Sequence, residues 1–280
     1  MIVDAMGDVD YDESGTGTAL VFVPGSCSTG AAWRPIISAL GSGHRCVTTS
    51  LLGYGRTSER RTCEDPDIRH EAEMLESVVR KAGGSVHLVG HSFGGLVALA
   101  VALRGNLSLE SLTILEAPAT EILLDANDEA SHRDFRRMTD AYIREFSSGN
   151  AEAIAAMVDF YGGAGTFATW PPRVRAYAVE TTAVNILDWA TAYGFPLSAS
   201  ALAQINIPVL VVRGGESHRA VQRANGLVAK SIRNAKLVTL EAARHFMIAT
   251  HATELAPLIA AHVRDAQHEG EKTYAAGDCA

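Results

Sequence analysis

The chain predicts an α/β protein: a mostly parallel sheet flanked by helices, with a helical insertion. Three observations predict it. The run Thr18-Ala19-Leu20-Val21-Phe22-Val23 is nearly all apolar, which suits a strand covered on both faces, as in a parallel sheet. A second β-rich run, Val86–Val89, ends in Gly90-His91-Ser92-Phe93-Gly94 and passes at once into an apolar helical run over 93–104, the strand–turn–helix step of such folds. Finally, β-rich runs alternate with helical patterns except over about 120–203, where only helical patterns occur.

Bulk properties narrow the function. At 280 residues the chain accommodates one α/β domain with an insertion, or two small domains, and 47% hydrophobic residues supply a large core. A net charge of −8 with no long basic block argues against a nucleic-acid partner. The nearest basic run, Arg56–Arg61 with Glu59 inside it, reads as a solvated loop face. No apolar run approaches 20 residues, so no membrane span is expected. The first residues lack a positive segment followed by an apolar one, so the expected location is cytoplasmic. Cys27, Cys46, Cys63 and Cys279 have neither metal-ligand nor C-x-x-C spacing and read as isolated thiols. The expected partner is a small-molecule substrate, the chain itself being a monomer or homodimer.

Taken in order, residues 8–14 and 18–24 read as strands joined by the turn cluster Ser14-Gly15-Thr16-Gly17. Ala31–Leu40 is a short helix with Trp33, Ile36, Ile37 and Leu40 at helical spacing, and Arg45–Ser50 is a strand. Ile68, Ala72, Leu75, Val79 and Ala82 form one face of a helix over 67–82 that Gly83-Gly84 ends. The helix over 93–104 is apolar nearly all round, which predicts burial beneath the sheet. Leu109–Leu115 is the next strand. Helical patterns follow at Ser131–Phe146, Ala151–Phe160 and roughly Pro172–Tyr193. A strand at 207–213, a helix at 218–231, a strand at 236–240 and a helix at 252–266 complete the alternation, and the polar, small residues of 268–280 are expected to be disordered.

The chemistry is carried by Gly90-His91-Ser92-Phe93-Gly94, a G-x-S-x-G in a strand–turn–helix context. A tight turn there pushes the Ser92 side chain out above the strand end. A Cβ at Gly90 or Gly94 would crowd the neighbouring strand or helix. The helix N-terminus aims unpaired N–H groups and a positive dipole end at the same point. On these residues the sequence resembles the α/β-hydrolase superfamily over roughly 9–266. The resemblance implies a mostly parallel eight-stranded sheet, a core formed by 1–119 and 204–267, and a helical cap over 120–203.

It also implies roles. The superfamily usually carries His-Gly-X after the first long strand, where the N–H of X is an oxyanion donor. Here Pro24-Gly25-Ser26 replaces it, making Ser26 one donor and Phe93 the other. The Gly53-Tyr54-Gly55-Arg56-Thr57-Ser58 loop matches one that is usually architectural and receives no chemistry. Ser92 is the nucleophile and His245, after the last strand and before the last helix, its base; His251 reads as a surface or capping residue, and His91 as packing beside the nucleophile. The acid has two candidates. Most relatives carry Asp after the strand ending near Arg213, but the sequence there is Gly214-Gly215-Glu216-Ser217-His218, with Glu216 one position out of register. Some branches, including certain haloalkane dehalogenases and the zearalenone lactone hydrolases, place the acid after the strand that follows the nucleophile helix. Glu116, in Glu116-Ala117-Pro118, stands there and is preferred; Glu216 is the alternative. Tyr161, Phe167, Trp170, Trp189, Tyr193, Phe195 and Phe246 are candidate pocket-lining aromatics, with Tyr161, Trp170, Trp189 and Phe246 taken as substrate-binding.

The expected activity is hydrolysis of a carboxylic ester or lactone of a small, mostly apolar substrate through an acyl-enzyme, with no metal or organic cofactor implied. A C–C bond hydrolase, a cofactor-free dioxygenase and a non-catalytic small-molecule receptor remain alternatives on the same residues.

Overall fold

A computed structural model describes the backbone over residues 1–4 and 7–277 and the side chains over 1–2 and 7–268. The strands are β1 (Ile2–Asp4), β2 (Gly7–Val9), β3 (Asp12–Gly15), β4 (Thr18–Val23), β5 (His44–Thr48), β6 (Val86–His91), β7 (Leu109–Leu115), β8 (Val209–Gly214) and β9 (Ala235–Leu240). The last seven form one sheet in the order β3-β5-β4-β6-β7-β8-β9, parallel except for the edge strand β3. Among the described residues this sheet has seven strands, not the expected eight. Residues 7–9 turn back on 2–4 as a separate two-stranded ribbon. Asp10, between the two halves of the expected first strand, instead ties down the loop at Arg56 with a 2.7 Å ion pair.

Strand alternation explains the apolar run Thr18–Val23. Leu20 and Phe22 face a cluster with Trp33, Ile36, Leu255, Ile259 and Val263. Val21 and Val23 face the opposite cluster, which holds Leu75, Val79, Leu96 and Leu99. Helices α1 (Arg34–Leu40), α2 (Arg69–Lys81) and α3 (Phe93–Arg104) follow β4, β5 and β6 in turn, α2 only after the long loop over 49–68. The α3 helix is buried from Phe93 to Val101, as its all-round apolar sequence requires.

Between β7 and β8 the chain forms α4 (Glu121–Asp125), α5 (Glu129–Ser147), α6 (Ile154–Gly162), α7 (Thr166–Thr169), α8 (Pro172–Glu180), α9 (Thr182–Gly194) and α10 (Ala199–Leu202). The single helix expected over 172–193 is broken at Thr181, whose hydroxyl donates to the Tyr177 carbonyl at 2.8 Å, a side-chain bond that competes with helix continuation. After β8 come α11 (Arg219–Ser231), α12 (Met247–Thr250) and α13 (Ala252–Gly277). The α13 helix continues to Gly277, past the point where a disordered tail was expected. Residues 268–277 include Glu269, Glu271, Lys272, Ala275 and Ala276, residue types that favour a helix; Cys279 lies outside the described residues. The parallel strands bring the C-terminal ends of β4, β6, β7 and β8 to one edge, where ligands bind in open α/β sheets.

Candidate active site

Ser92 sits between β6 and α3 with φ 52° and ψ −128°, a conformation a non-glycine residue adopts only under constraint. The close packing around it requires glycine. A Cβ on Gly90 would lie 2.5 Å from the Gly94 carbonyl oxygen, and one on Gly94 would strike the carbonyl of Pro24. Among the described residues, non-glycine positive φ occurs at Cys27, Ser92, Glu116 and Asn127. Three of these four belong to this site, so the strain is concentrated where side chains must be aimed.

Ser92 Oγ lies 2.9 Å from His245 Nε2, and His245 Nδ1 lies 2.8 Å from Glu116 Oε2. Glu116 is fully buried at the end of β7. Its second oxygen accepts the Gly214 N–H at 2.6 Å. The end of β8, where the superfamily pattern places the acid, thus supplies a hydrogen-bond donor to Glu116 instead. With its Nδ1–H given to the carboxylate, the imidazole turns a lone pair toward the serine hydroxyl. Glu216 is placed elsewhere: half exposed, it pairs with Arg244 at 3.2 Å. Arg244 also donates to the Gly162 carbonyl at 3.1 Å. The structure therefore joins Ser92 and His245 to Glu116, and leaves the alternative acid outside.

His245 is clamped on two sides. His91 Nε2–H donates to the His245 carbonyl at 2.8 Å, and the two rings lie 4.9 Å apart. Burial lowers the His91 pKa to about 3, so it stays neutral and serves as a support. Tyr161 packs against the other side of His245, with centroids 4.0 Å apart. His251 stands at the end of α12, its Nδ1 2.8 Å from the Thr250 hydroxyl, away from the serine.

The Pro24-Gly25-Ser26 loop abuts Ser92. A Cβ on Gly25 would come within 2.8 Å of the Ser92 Cβ, so Ser26 begins immediately beside Ser92, and Phe93 opens α3 on its other flank. A cavity of about 420 Å³ opens here. Its lining includes Ser26, Ser92, Phe93 and His245 from the sheet edge, and Tyr161, Trp170, Trp189 and Phe246 among its aromatics. Phe167, Tyr193 and Phe195 lie outside it. Phe167 packs on Trp170, and the Tyr193 hydroxyl is taken by Thr139 at 3.0 Å.

Sequence reasoning missed a buried polar cluster at the floor of this cavity. Asp188 on α9 accepts from the Ser26 and Tyr54 hydroxyls, each at 2.6 Å, and pairs with Arg61 at 2.9 Å. Arg61 also meets Glu59 at 2.8 Å and Glu71 at 3.3 Å. Its side chain is fully buried, so the expected solvated face at Arg56–Arg61 ends before Arg61. Three carboxyls surround one guanidinium. Burial pushes Glu71 up to about 8, against the opposing pull of Arg61, and also raises Asp188; a protonated Glu71 reduces the surplus negative charge at neutral pH. One signal was legible: Asp188 is the sole charged residue of the α9 segment.

The fold has recognisable relatives. The chain spans 8%, 21% and 42% of the lengths of the first three curated proteins it matches. One of them is the probable lysophospholipase BODYGUARD 3 of Arabidopsis thaliana, 36% identical over 105 residues, which are 35% of this chain and 21% of that protein. A putative non-heme chloroperoxidase of Synechocystis is 23% identical over 265 residues, 90% of this chain and 93% of that protein. An esterase from Exiguobacterium antarcticum superposes with a TM-score of 0.75 at 17% identity, covering 94% of this chain and 98% of that one. A family model matches residues 20–258, the span that carries the sheet from β4 onward, the Ser92 turn, Glu116 and His245, and the chain belongs to the alpha/beta hydrolase family.

Proposed function

We propose that the protein is a serine hydrolase that cleaves a carboxylic ester or lactone of a small, mostly apolar molecule through an acyl-enzyme. The observation that carries this reading is the unbroken chain of contacts from Glu116 through His245 to Ser92, at 2.8 and 2.9 Å, with Ser92 facing the 420 Å³ cavity. His245 removes the Ser92 proton as the oxygen attacks the carbonyl carbon. The N–H groups of Ser26 and Phe93 receive the oxyanion. His245 then protonates the leaving alcohol, and later activates the water that releases the acid. Glu116 holds the imidazole in the required tautomer and stabilises its charged form. The inserted helices act as a cap: α6, α8 and α9 contribute Tyr161, Val174 and Trp189 to the lining, which excludes water and favours an apolar acyl or alcohol group. The esterase relative and its shared fold agree with this chemistry.

The test is turnover of a series of p-nitrophenyl esters and simple lactones. Measurable hydrolysis by the native protein, abolished in Ser92→Ala, is expected. A panel with no turnover at all would count decisively against the reading.

A further inference from the structure

The acyl-transfer reading places two N–H donors beside Ser92 and leaves open what keeps them there. We propose that Asp188, carried by helix α9, is a positioning residue for the oxyanion site: anchored by Arg61, it tethers the Ser26 hydroxyl and so fixes the Ser26 N–H next to the nucleophile. The inference rests on the serine-hydrolase reading above.

The geometry is specific. The Ser26 hydroxyl has one proton, and Asp188 Oδ2 takes it at 2.6 Å. Ser26 therefore offers an oxyanion its N–H and not its hydroxyl. The next residue, Cys27, is held at φ 55°, a conformation that persists only when the surroundings over-determine it. The same Asp188 oxygen accepts from Tyr54 at 2.6 Å, so one carboxylate oxygen joins α9, the Tyr54 loop and the oxyanion loop. Asp188 Oδ1 faces Arg61 at 2.9 Å. Arg61 in turn lies 5.7 Å from the centroid of the Phe93 ring, within cation–π range of the residue that supplies the second donor. The Asp188–Arg61 pair thus touches the side chains of both donor residues while reaching neither reacting atom.

Stability alone is a poor account of such a cluster. Burying a guanidinium with three carboxyls carries a desolvation cost that packed apolar side chains would avoid. Aiming a backbone N–H to within a fraction of an ångström is what a fixed polar network does and an apolar contact does not.

The test uses the full chain and p-nitrophenyl butyrate. Ser26→Ala keeps the N–H and the Asp188–Arg61 pair but cuts the tether. Its kcat should fall about tenfold, less than the 10²–10³ typical of deleting a donor outright, with KM within twofold and an unchanged melting temperature. Asp188→Asn should lower kcat similarly, and the double variant should be no slower than the slower single one, since both changes break the same link. Wild-type kcat in Ser26→Ala, or a loss that appears only in KM or in melting temperature, overturns the proposal while leaving the hydrolase reading intact. Should Asp188→Asn fail to fold, Ser26→Ala alone decides. Absence of turnover in the native protein would overturn both.

Discussion

Glu116 Oε2 lies 2.8 Å from His245 Nδ1 across a sequence separation of 129 residues, and the other Glu116 oxygen accepts the Gly214 N–H at 2.6 Å. The carboxylate is the common acceptor for two donors.

Glu116→Gln is therefore expected to lower kcat by about 10²- to 10⁴-fold, the range seen when an orienting acid is made neutral. Glutamine has a single acceptor oxygen. Whichever way its amide turns, either the Gly214 N–H or the His245 Nδ1–H meets an NH₂ group. Glu216→Gln should stay within about twofold, because it removes only a half-exposed ion pair. Ester-hydrolysis kinetics of the two variants side by side check this; a severe Glu216→Gln and a mild Glu116→Gln would reverse the assignment.

How much of this was legible from the sequence depends on the distance over which the signal acts. The Ser92 turn is local: small residues, a strand before and a helix after are all visible within twenty positions. His245 and Glu116 were reachable because each follows a recognisable strand. The count of strands failed at residues 8–14, where one apparent strand divides between two partners, since pairing choices are made by distant segments. Arg61 and Asp188 were not read as a site because a buried ion pair leaves no periodicity. The 127-residue gap between them is closed only by the packing of α9 onto the core, and only the solitary charge on α9 hinted at it.

Trp170→Ala should impair long-chain esters selectively. Trp170 lines the cavity and meets Phe246 edge-on at 5.0 Å, so its removal exposes bound apolar surface while leaving the Ser92–His245 contact alone. Losing about 1.5 kcal/mol of apolar burial would raise KM for a hexanoate ester roughly tenfold, with a smaller change for acetate. Equal effects on both chain lengths would show that Trp170 does not face the acyl chain.

Gly94→Ala tests the packing under Ser92. The added methyl would sit 2.6 Å from the Val23 carbonyl oxygen and closer still to that of Pro24. These are backbone atoms inside the sheet and at its end, and neither can swing aside as a side chain could. The expected destabilisation is about 2–3 kcal/mol, read as a lower thermal midpoint together with loss of the proposed ester turnover. An unchanged midpoint would mean that the turn is more compliant than its contacts imply.

The Arg61 cluster gives stability a defined pH dependence. Burial raises Glu71 from 4.5 to about 8 in the folded chain, with Arg61 pulling the other way and Asp188 and Glu59 adding to the rise. Between those two values the folded state holds a proton that the unfolded state has released. Linkage then makes this group's contribution fully present below about pH 4.5 and progressively lost as the pH rises to about 8. Glu71→Gln copies the protonated form and has nothing to release. Its melting temperature should match the native protein near pH 5 and exceed it near pH 8, the difference growing through that window. Parallel melting curves with a pH-independent offset would show that Glu71 is ionised in the folded protein throughout, with Arg61 as its full counter-charge.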